Sequence, residues 1–195
     1  MSFSNMISTS ILTLPLLING PAAAAPPNWA VTGYTARLSA DGIEDVLGFS
    51  ADYEDDYQLA AIALSKRIDD PYESIDLEWE AQLAKHTEGQ SHWEANGLII
   101  GRWLPFPWDN TLDTSFAVGA GLSYASELPE FEQVNHPNAN QLLAYLLVEL
   151  EFTVPQQQDW SLVFRVHHRS GAYGLFSDVE GASNALGIGL KYRFD

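Results

Sequence analysis

Apolar and polar residues alternate along many segments of about ten residues, and turn-forming residues separate these segments. The clearest case is 73–85, in which one parity is apolar (Ile75, Leu77, Trp79, Ala81, Leu83) and the other is polar (Ser74, Asp76, Glu78, Glu80, Gln82). A period of two is typical of a β-strand with two different faces. The polar face is too charged for the core of a soluble sandwich, but it suits a polar barrel interior.

The same rhythm predicts eight strands, at 29–38, 57–68, 73–85, 92–103, 115–124, 141–154, 160–169 and 185–194. After residue 25 no run of eighteen apolar residues could form a transmembrane helix, so a membrane-embedded chain must be a closed barrel. The predicted fold is therefore all-β, an eight-stranded antiparallel transmembrane barrel of the outer-membrane type over residues 26–195. The alternative is a soluble β-sandwich with ordinary core aromatics.

The connections between these strands follow the asymmetry of outer-membrane barrels. An even strand number places both termini on the periplasmic side. The predicted periplasmic connections are fairly short: 69–71, 104–112 and 155–159. The predicted outer connections are mostly long: 39–56, 127–140 and 171–184, with a short one near 86–91.

Both ends of the chain carry export features. The apolar run Ile11–Ile18 is followed by Gly20, Pro21 and Ala22–Ala25, which predicts a signal peptide over residues 1–25, although no Lys or Arg precedes the run. The alternative is a disordered apolar tail. The end of the chain, with Tyr192, Phe194 and one further residue, resembles the C-terminal assembly signal of outer-membrane barrels. These features predict a bacterial outer-membrane location.

Charge and composition exclude several classes of partner. The formal charge is −17, and none of it lies in residues 1–25. Such a chain is not expected to bind nucleic acid or to be attracted to anionic headgroups by its net charge. The acidic residues of the first loop either hold a divalent cation or, the simpler interpretation, are solvated: Asp52, Glu54, Asp55 and Asp56. The chain has no cysteine, which excludes disulfides, thiolate metal sites and a lipoprotein anchor.

Candidate chemistry lies at the end of the seventh strand. Leu162, Phe164 and Val166 share the parity expected to face lipid, and His168 and Ser170 continue it. Polar side chains on a lipid-facing stripe are costly unless they are paired or functional. Their spacing, about 6.6 Å of strand rise, can let an imidazole reach a serine hydroxyl, as nucleophilic catalysis requires. From spacing alone, an interfacial polar residue beside a loop-starting residue is the simpler interpretation.

The segment His168-Arg169-Ser170, which closes the penultimate strand, resembles the signature of the lipid A 3-O-deacylase (PagL) family. Segments at 102–108 and 121–125 extend the likeness over most of the mature chain. The resemblance implies an esterase with Ser170 as nucleophile and His168 as base, which removes a 3-hydroxyacyl chain from lipid A without a metal or other cofactor. Its partner would be the lipid A of outer-leaflet lipopolysaccharide.

The third catalytic residue is where this chain departs from the family pattern. The family places a Glu about a dozen residues after the Ser, but here Gly181, Ala182 and Ser183 stand there. Glu180 is the predicted third member. The alternatives are Asp178, or a dyad helped by Ser183 or Asn184. The candidate oxyanion donors are the Gly171 N–H and the Asn184 side chain.

Other polar residues favour structural roles. Parity places His92 and Glu94 in the lumen and Ser91 outside, so these three do not form one site. His86 and His92 flank a loop without further ligand spacing. Arg165 is expected to form a lumen salt-bridge network with Glu149 and Glu151 on the adjacent strand.

Two functions therefore remain open: the lipid A esterase, and a non-catalytic barrel with a structural, adhesive or lipid-binding role. An esterase is expected to turn His168 toward Ser170 and to hold a carboxylate near the imidazole. The sequence leaves the oligomeric state open, a homodimer included.

Overall fold

Eight strands close into one antiparallel barrel, each pairing with its neighbours in sequence, and the first pairs with the last. The computed structural model describes residues 27–136, 138–172, 175–176, 179 and 182–195, so the predicted signal peptide lies outside the described residues. The strands are β1 (Trp29–Ser39), β2 (Gln58–Tyr72), β3 (Ile75–Glu88), β4 (Trp93–Trp103), β5 (Asp113–Ala125), β6 (Leu142–Thr153), β7 (Trp160–Ser170) and β8 (Ala182–Phe194). The predicted fold class is confirmed.

Two short helices lie in the long outer connections. They are α1 (Ile43–Leu47), between β1 and β2, and α2 (Glu130–Asn135), between β5 and β6. Among the described residues, neither helix has the length and apolar character needed to span a bilayer. The sequence predicted these connections as loops without helices. α2 instead buries Phe131 and Glu132 at the outer mouth of the barrel.

The alternation seen in the sequence separates an apolar outside from a polar inside. In β4 every second residue is buried, from Glu94 to Arg102, while Ile99 on the other parity is 52% exposed. Glu80 and Gln82 on β3 are buried in the lumen, as their parity predicted. A protein with exposed leucines and isoleucines around a charged interior is inverted relative to a soluble sandwich, so that alternative is wrong.

Aromatic side chains lie near the strand ends, as is typical at membrane interfaces. Trp93 and Trp103 are the first and last residues of β4, and Trp160 begins β7 next to Tyr192 on β8. The Trp160 and Tyr192 ring centroids lie 4.8 Å apart. Trp108 lies in the turn between β4 and β5, where its indole N–H donates to Thr114 Oγ1.

Ion pairs fill the lumen. Arg165 donates to both carboxylate oxygens of Glu80, at 2.8 and 2.9 Å, and its Nε donates to Glu149. Lys191 Nζ lies 2.5 Å from Glu149 and 2.7 Å from Glu151. The predicted pairing of Arg165 with Glu149 is confirmed. Glu151 joins the same network through Arg102 and Lys191, which bind both glutamates, so the predicted lumen salt-bridge network is confirmed.

One turn differs from the sequence prediction. Asp69, Asp70 and Pro71 were expected to end the second strand, but β2 continues to Tyr72 and the chain turns at Glu73 and Ser74. Register shifts accompany this extension between Arg67 and Tyr72. A bulge tolerates proline because its missing N–H does not interrupt a regular ladder.

Candidate active site

The candidate site lies on the outer surface of the barrel, where β7 and β8 reach the extracellular end. The strand register places His168 opposite Asn184, and Ser170 opposite Ala182. Leu162 and Phe164, lower on the same face of β7, are exposed, whereas His168 and Ser170 are half-buried. The predicted outward direction of the His and Ser side chains is therefore confirmed. Val166, of the same parity, is buried.

The imidazole of His168 is held from one side by the amide of Asn184. His168 Nδ1 lies 2.6 Å from Asn184 Oδ1, and Asn184 Nδ2 donates to the backbone carbonyl of Asp41 at 2.8 Å. The second bond fixes the amide orientation, because only the NH₂ end can donate to a carbonyl oxygen. The amide oxygen therefore faces His168 Nδ1, and Nε2 makes no hydrogen bond to the residues that the structure describes.

Ser170 is not hydrogen-bonded to His168 in the described part of the chain. Its hydroxyl oxygen instead accepts the Ala172 N–H at 3.4 Å. Ala172 has φ = 47°, in the left-handed region that non-glycine residues seldom adopt. The chain therefore turns sharply just after Ser170, and a productive His168–Ser170 contact requires a side-chain rotation. Such contacts often tighten only when substrate binds.

Gly171 packs tightly beside the candidate nucleophile. A Cβ atom built on it would lie 1.9 Å from the carbonyl oxygen of Val179, and the Gly171 carbonyl accepts the Phe176 N–H at 3.0 Å. Val179 is itself buried against Leu143. Only a glycine allows this close approach of the two backbone segments, which fixes the direction in which the loop leaves Ser170.

The esterase activity that the sequence predicts would fall by about tenfold or more in Gly171→Ala, because a misplacement of about 1 Å near the chemistry can cost 10²-fold. The barrel itself should still form, since the glycine lies beyond the end of β7. Heat-modifiable migration on gels tests folding, and ester hydrolysis tests the site. Gly101→Ala is the matched control, because its added methyl meets open space. Equal activity in both variants would contradict the positioning role of Gly171.

The other residues that the sequence suggested for the site differ in their positions relative to His168. Glu180 and Asp178 lie outside the described residues. Within the described part of the chain, no carboxylate pairs with the His168 imidazole, so the expected carboxylate is not seen there. Ser183 faces the lumen and donates to Glu132 at 3.0 Å, which separates it from His168. Of the two residues considered as helpers of a dyad, the fold brings Asn184 to the histidine.

A second cluster, inside the outer mouth of the lumen, surrounds the carboxylate of Glu94. His86 and His167 lie 2.8 and 2.9 Å from its two oxygens, and His92 lies 3.4 Å away. Arg169 lies 3.3 Å from the same carboxylate and 3.0 Å from Glu132. The interpretation of His92 and Glu94 as part of a lumen network is confirmed. Burial raises the pKa of Glu132, although the Arg169 guanidinium opposes this rise.

This cluster also contains the donor set His86, His92 and Glu94, whose ligand atoms lie within 4.8 Å and could hold a metal ion. The sequence spacing showed no third ligand beside the two histidines, but the β3–β4 pairing brings Glu94 to them. Phe131 N–H donates to Gln90 Oε1, so Gln90 Nε2 donates to His86 Nδ1. His86 therefore carries its proton on Nε2 and donates it to Glu94. A metal at Nε2 would have to displace that proton, so the hydrogen-bonded network is the better interpretation.

Solved structures share this architecture. The outer membrane enzyme PagL superposes with a TM-score of 0.61 at 12% identity, over 85% of this chain and 99% of that chain. Neisserial surface protein A (NspA) gives a TM-score of 0.51 at 12% identity, over 85% of this chain and 97% of that one. The fold is that of bacterial outer-membrane barrels. No family model and no curated protein matches the sequence.

The two similar structures agree on the fold and differ in what their names describe. One is an enzyme and the other is a surface protein, and the two are equally distant from this chain in sequence. The comparison and the apolar exterior together therefore show that the fold is a barrel of the outer-membrane type. The chemistry must be argued from His168, Ser170 and their surroundings, because a shared fold does not imply a shared function.

Proposed function

We propose that this protein is an outer-membrane esterase that hydrolyses an ester-linked hydroxyacyl chain of lipid A. One observation carries the proposal: His168 and Ser170 lie on the outer, lipid-facing surface of β7, and the imidazole is held at Nδ1, with no hydrogen bond from Nε2 to any of the described residues. Polar residues at this position are costly without a function. The resemblance of His168-Arg169-Ser170 to the deacylase signature supports the same assignment.

In the proposed mechanism, Ser170 Oγ attacks the acyl carbonyl carbon while His168 Nε2 takes the hydroxyl proton. The tetrahedral intermediate then breaks its bond to the sugar oxygen, which receives the proton from His168. Water, deprotonated by the same nitrogen, attacks the acyl-enzyme and releases a hydroxy fatty acid and free Ser170. The Gly171 N–H, at the turn after the nucleophile, is the proposed donor to the oxyanion.

The location of the site favours a lipid that arrives sideways. Ser170 ends β7 at the extracellular side, so the reacting groups are proposed to lie level with the outer leaflet. Exposed apolar side chains below them, including Leu162 and Phe164, offer a surface on which acyl chains can lie. A lipopolysaccharide with its acyl chains in the bilayer and its sugars above meets both requirements.

The second candidate is a non-catalytic barrel with a structural, adhesive or lipid-binding role. The absence of a hydrogen bond between Ser170 and His168 favours it, since the serine hydroxyl accepts from Ala172 instead. The similarity to a surface protein is also compatible with it.

Mass spectrometry of lipid A from cells that express the protein tests the proposal directly. Wild-type expression is expected to remove the mass of one hydroxyacyl chain, while cells carrying an empty vector keep it. A heat-modifiable band in the outer-membrane fraction shows that the barrel has folded. Unchanged lipid A in the presence of folded barrel would reject the esterase and leave the non-catalytic barrel.

A further inference from the structure

We infer that Asn184, rather than a carboxylate, orients the imidazole of the proposed base His168. The inference rests on the proposed esterase function and names a positioning residue within it. The resemblance assigns this role to an acidic residue, Glu180 in this chain. The contacts of the described residues assign it to a neutral amide on the neighbouring strand.

The hydrogen bonds around Asn184 determine which nitrogen of His168 carries the proton. Asn184 Nδ2 is committed as a donor to the Asp41 carbonyl oxygen, so Oδ1 faces His168 Nδ1 at 2.6 Å. An amide oxygen can only accept, and therefore Nδ1 must donate. A neutral imidazole with its proton on Nδ1 has its lone pair on Nε2, which is the tautomer that a base requires.

The amide is itself held by the first outer loop. The backbone N–H of Asp41 donates to Ser39 Oγ at 3.1 Å, and its carboxylate accepts the Asp52 N–H at 2.7 Å. Ser39 pairs with Asn184 in the β1–β8 register. The Asp41 carbonyl is thus fixed by contacts at both ends of the loop. A chain from this loop through Asn184 to His168 restricts rotation of the imidazole.

Asn184 also suits the surroundings better than a carboxylate would. Asn184 is buried and His168 half-buried, on the lipid side of the wall. An ionised carboxylate there would need a countercharge, whereas an amide needs only the two hydrogen bonds it makes. His168 Nδ1 carries one proton, and the short hydrogen bond to Asn184 uses it. No further proton remains on Nδ1 for a hydrogen bond to Glu180.

The test compares purified, folded barrels carrying Asn184→Leu, Asn184→Asp or Glu180→Gln, with Asn135→Leu, at an exposed position of α2, as the matched control. Asn184→Leu is expected to lower kcat on the order of 10²-fold with little change in KM, because general-base catalysis contributes about 10²–10⁴-fold. Asn184→Asp keeps an acceptor and should recover at least about tenfold of that loss. Asn135→Leu should retain wild-type kcat.

Nitrogen-15 NMR of the wild-type barrel gives a readout that does not depend on a variant folding. The His168 signals are expected to show a protonated Nδ1 and an unprotonated Nε2. A wild type with the proton on Nε2 would overturn the inference, as would a kcat loss in Glu180→Gln with none in Asn184→Leu. If wild type and Ser170→Ala are equally inactive, the proposed function fails. An active wild type with fully active Asn184→Leu rejects only the role of Asn184.

Discussion

Ser170→Ala is expected to lower the proposed hydrolysis of the lipid A ester by about 10³-fold or more, the largest effect on activity that we predict. Loss of the proposed nucleophile would leave only binding and oxyanion stabilisation, which give a small residual rate. The substitution removes one half-buried hydroxyl whose described contact is with Ala172. Stability should therefore be almost unchanged, so the loss would belong to catalysis.

The measurement is steady-state hydrolysis by purified barrel in detergent, with labelling of Ser170 by a fluorophosphonate as a second readout. Ser91→Ala is the matched control, because Ser91 is an exposed serine at the same end of the barrel whose hydroxyl accepts a hydrogen bond from Lys85. It should retain full activity. A Ser170→Ala enzyme that hydrolyses at the wild-type rate would show that the nucleophile lies elsewhere or that a contaminant is responsible.

The number of strands and the direction of their side chains were predictable because both follow from local alternation. A period of two assigns each residue of 73–85 to one face regardless of what the rest of the chain does. The end of β2 was missed because Asp69, Asp70 and Pro71 carry strong turn signals, whereas pairing with β3 continues past them through irregular register. Here tertiary pairing overrides local preference.

The site was only half predictable from the sequence. The direction of His168 and Ser170 follows from counting along β7, and both do face outward. The partner of the imidazole does not follow from such counting, because it depends on the β7–β8 register and on the Asp41 carbonyl, 143 residues away from Asn184. The Glu94 cluster is a similar case, since His167 reaches it from 73 residues away.

The charged lumen leads to the largest expected effect on stability. Arg165→Met is expected to lower the free energy of unfolding by about 3–5 kcal/mol, because removing one partner of a buried ion pair leaves uncompensated charge. Arg165 is fully buried and is bound by Glu80 and Glu149. Glu149 keeps Arg102 and Lys191, but among the described residues Glu80 would retain a single hydrogen bond, 3.4 Å long, from Gln82. Urea unfolding of the barrel in lipid vesicles measures the change.

Two further variants separate the contribution of the ion pair to stability from the contribution of side-chain packing. Arg165→Met combined with Glu80→Gln removes one charge of each sign, so it should recover part of the loss if the stranded carboxylate is its cause. Arg37→Met breaks an ion pair with Asp55 on the exposed outer rim and should cost at most about 1 kcal/mol. If the double variant is no more stable than Arg165→Met alone, lost packing of the arginine stem is the cause, and the lumen charges are not what holds the barrel interior together.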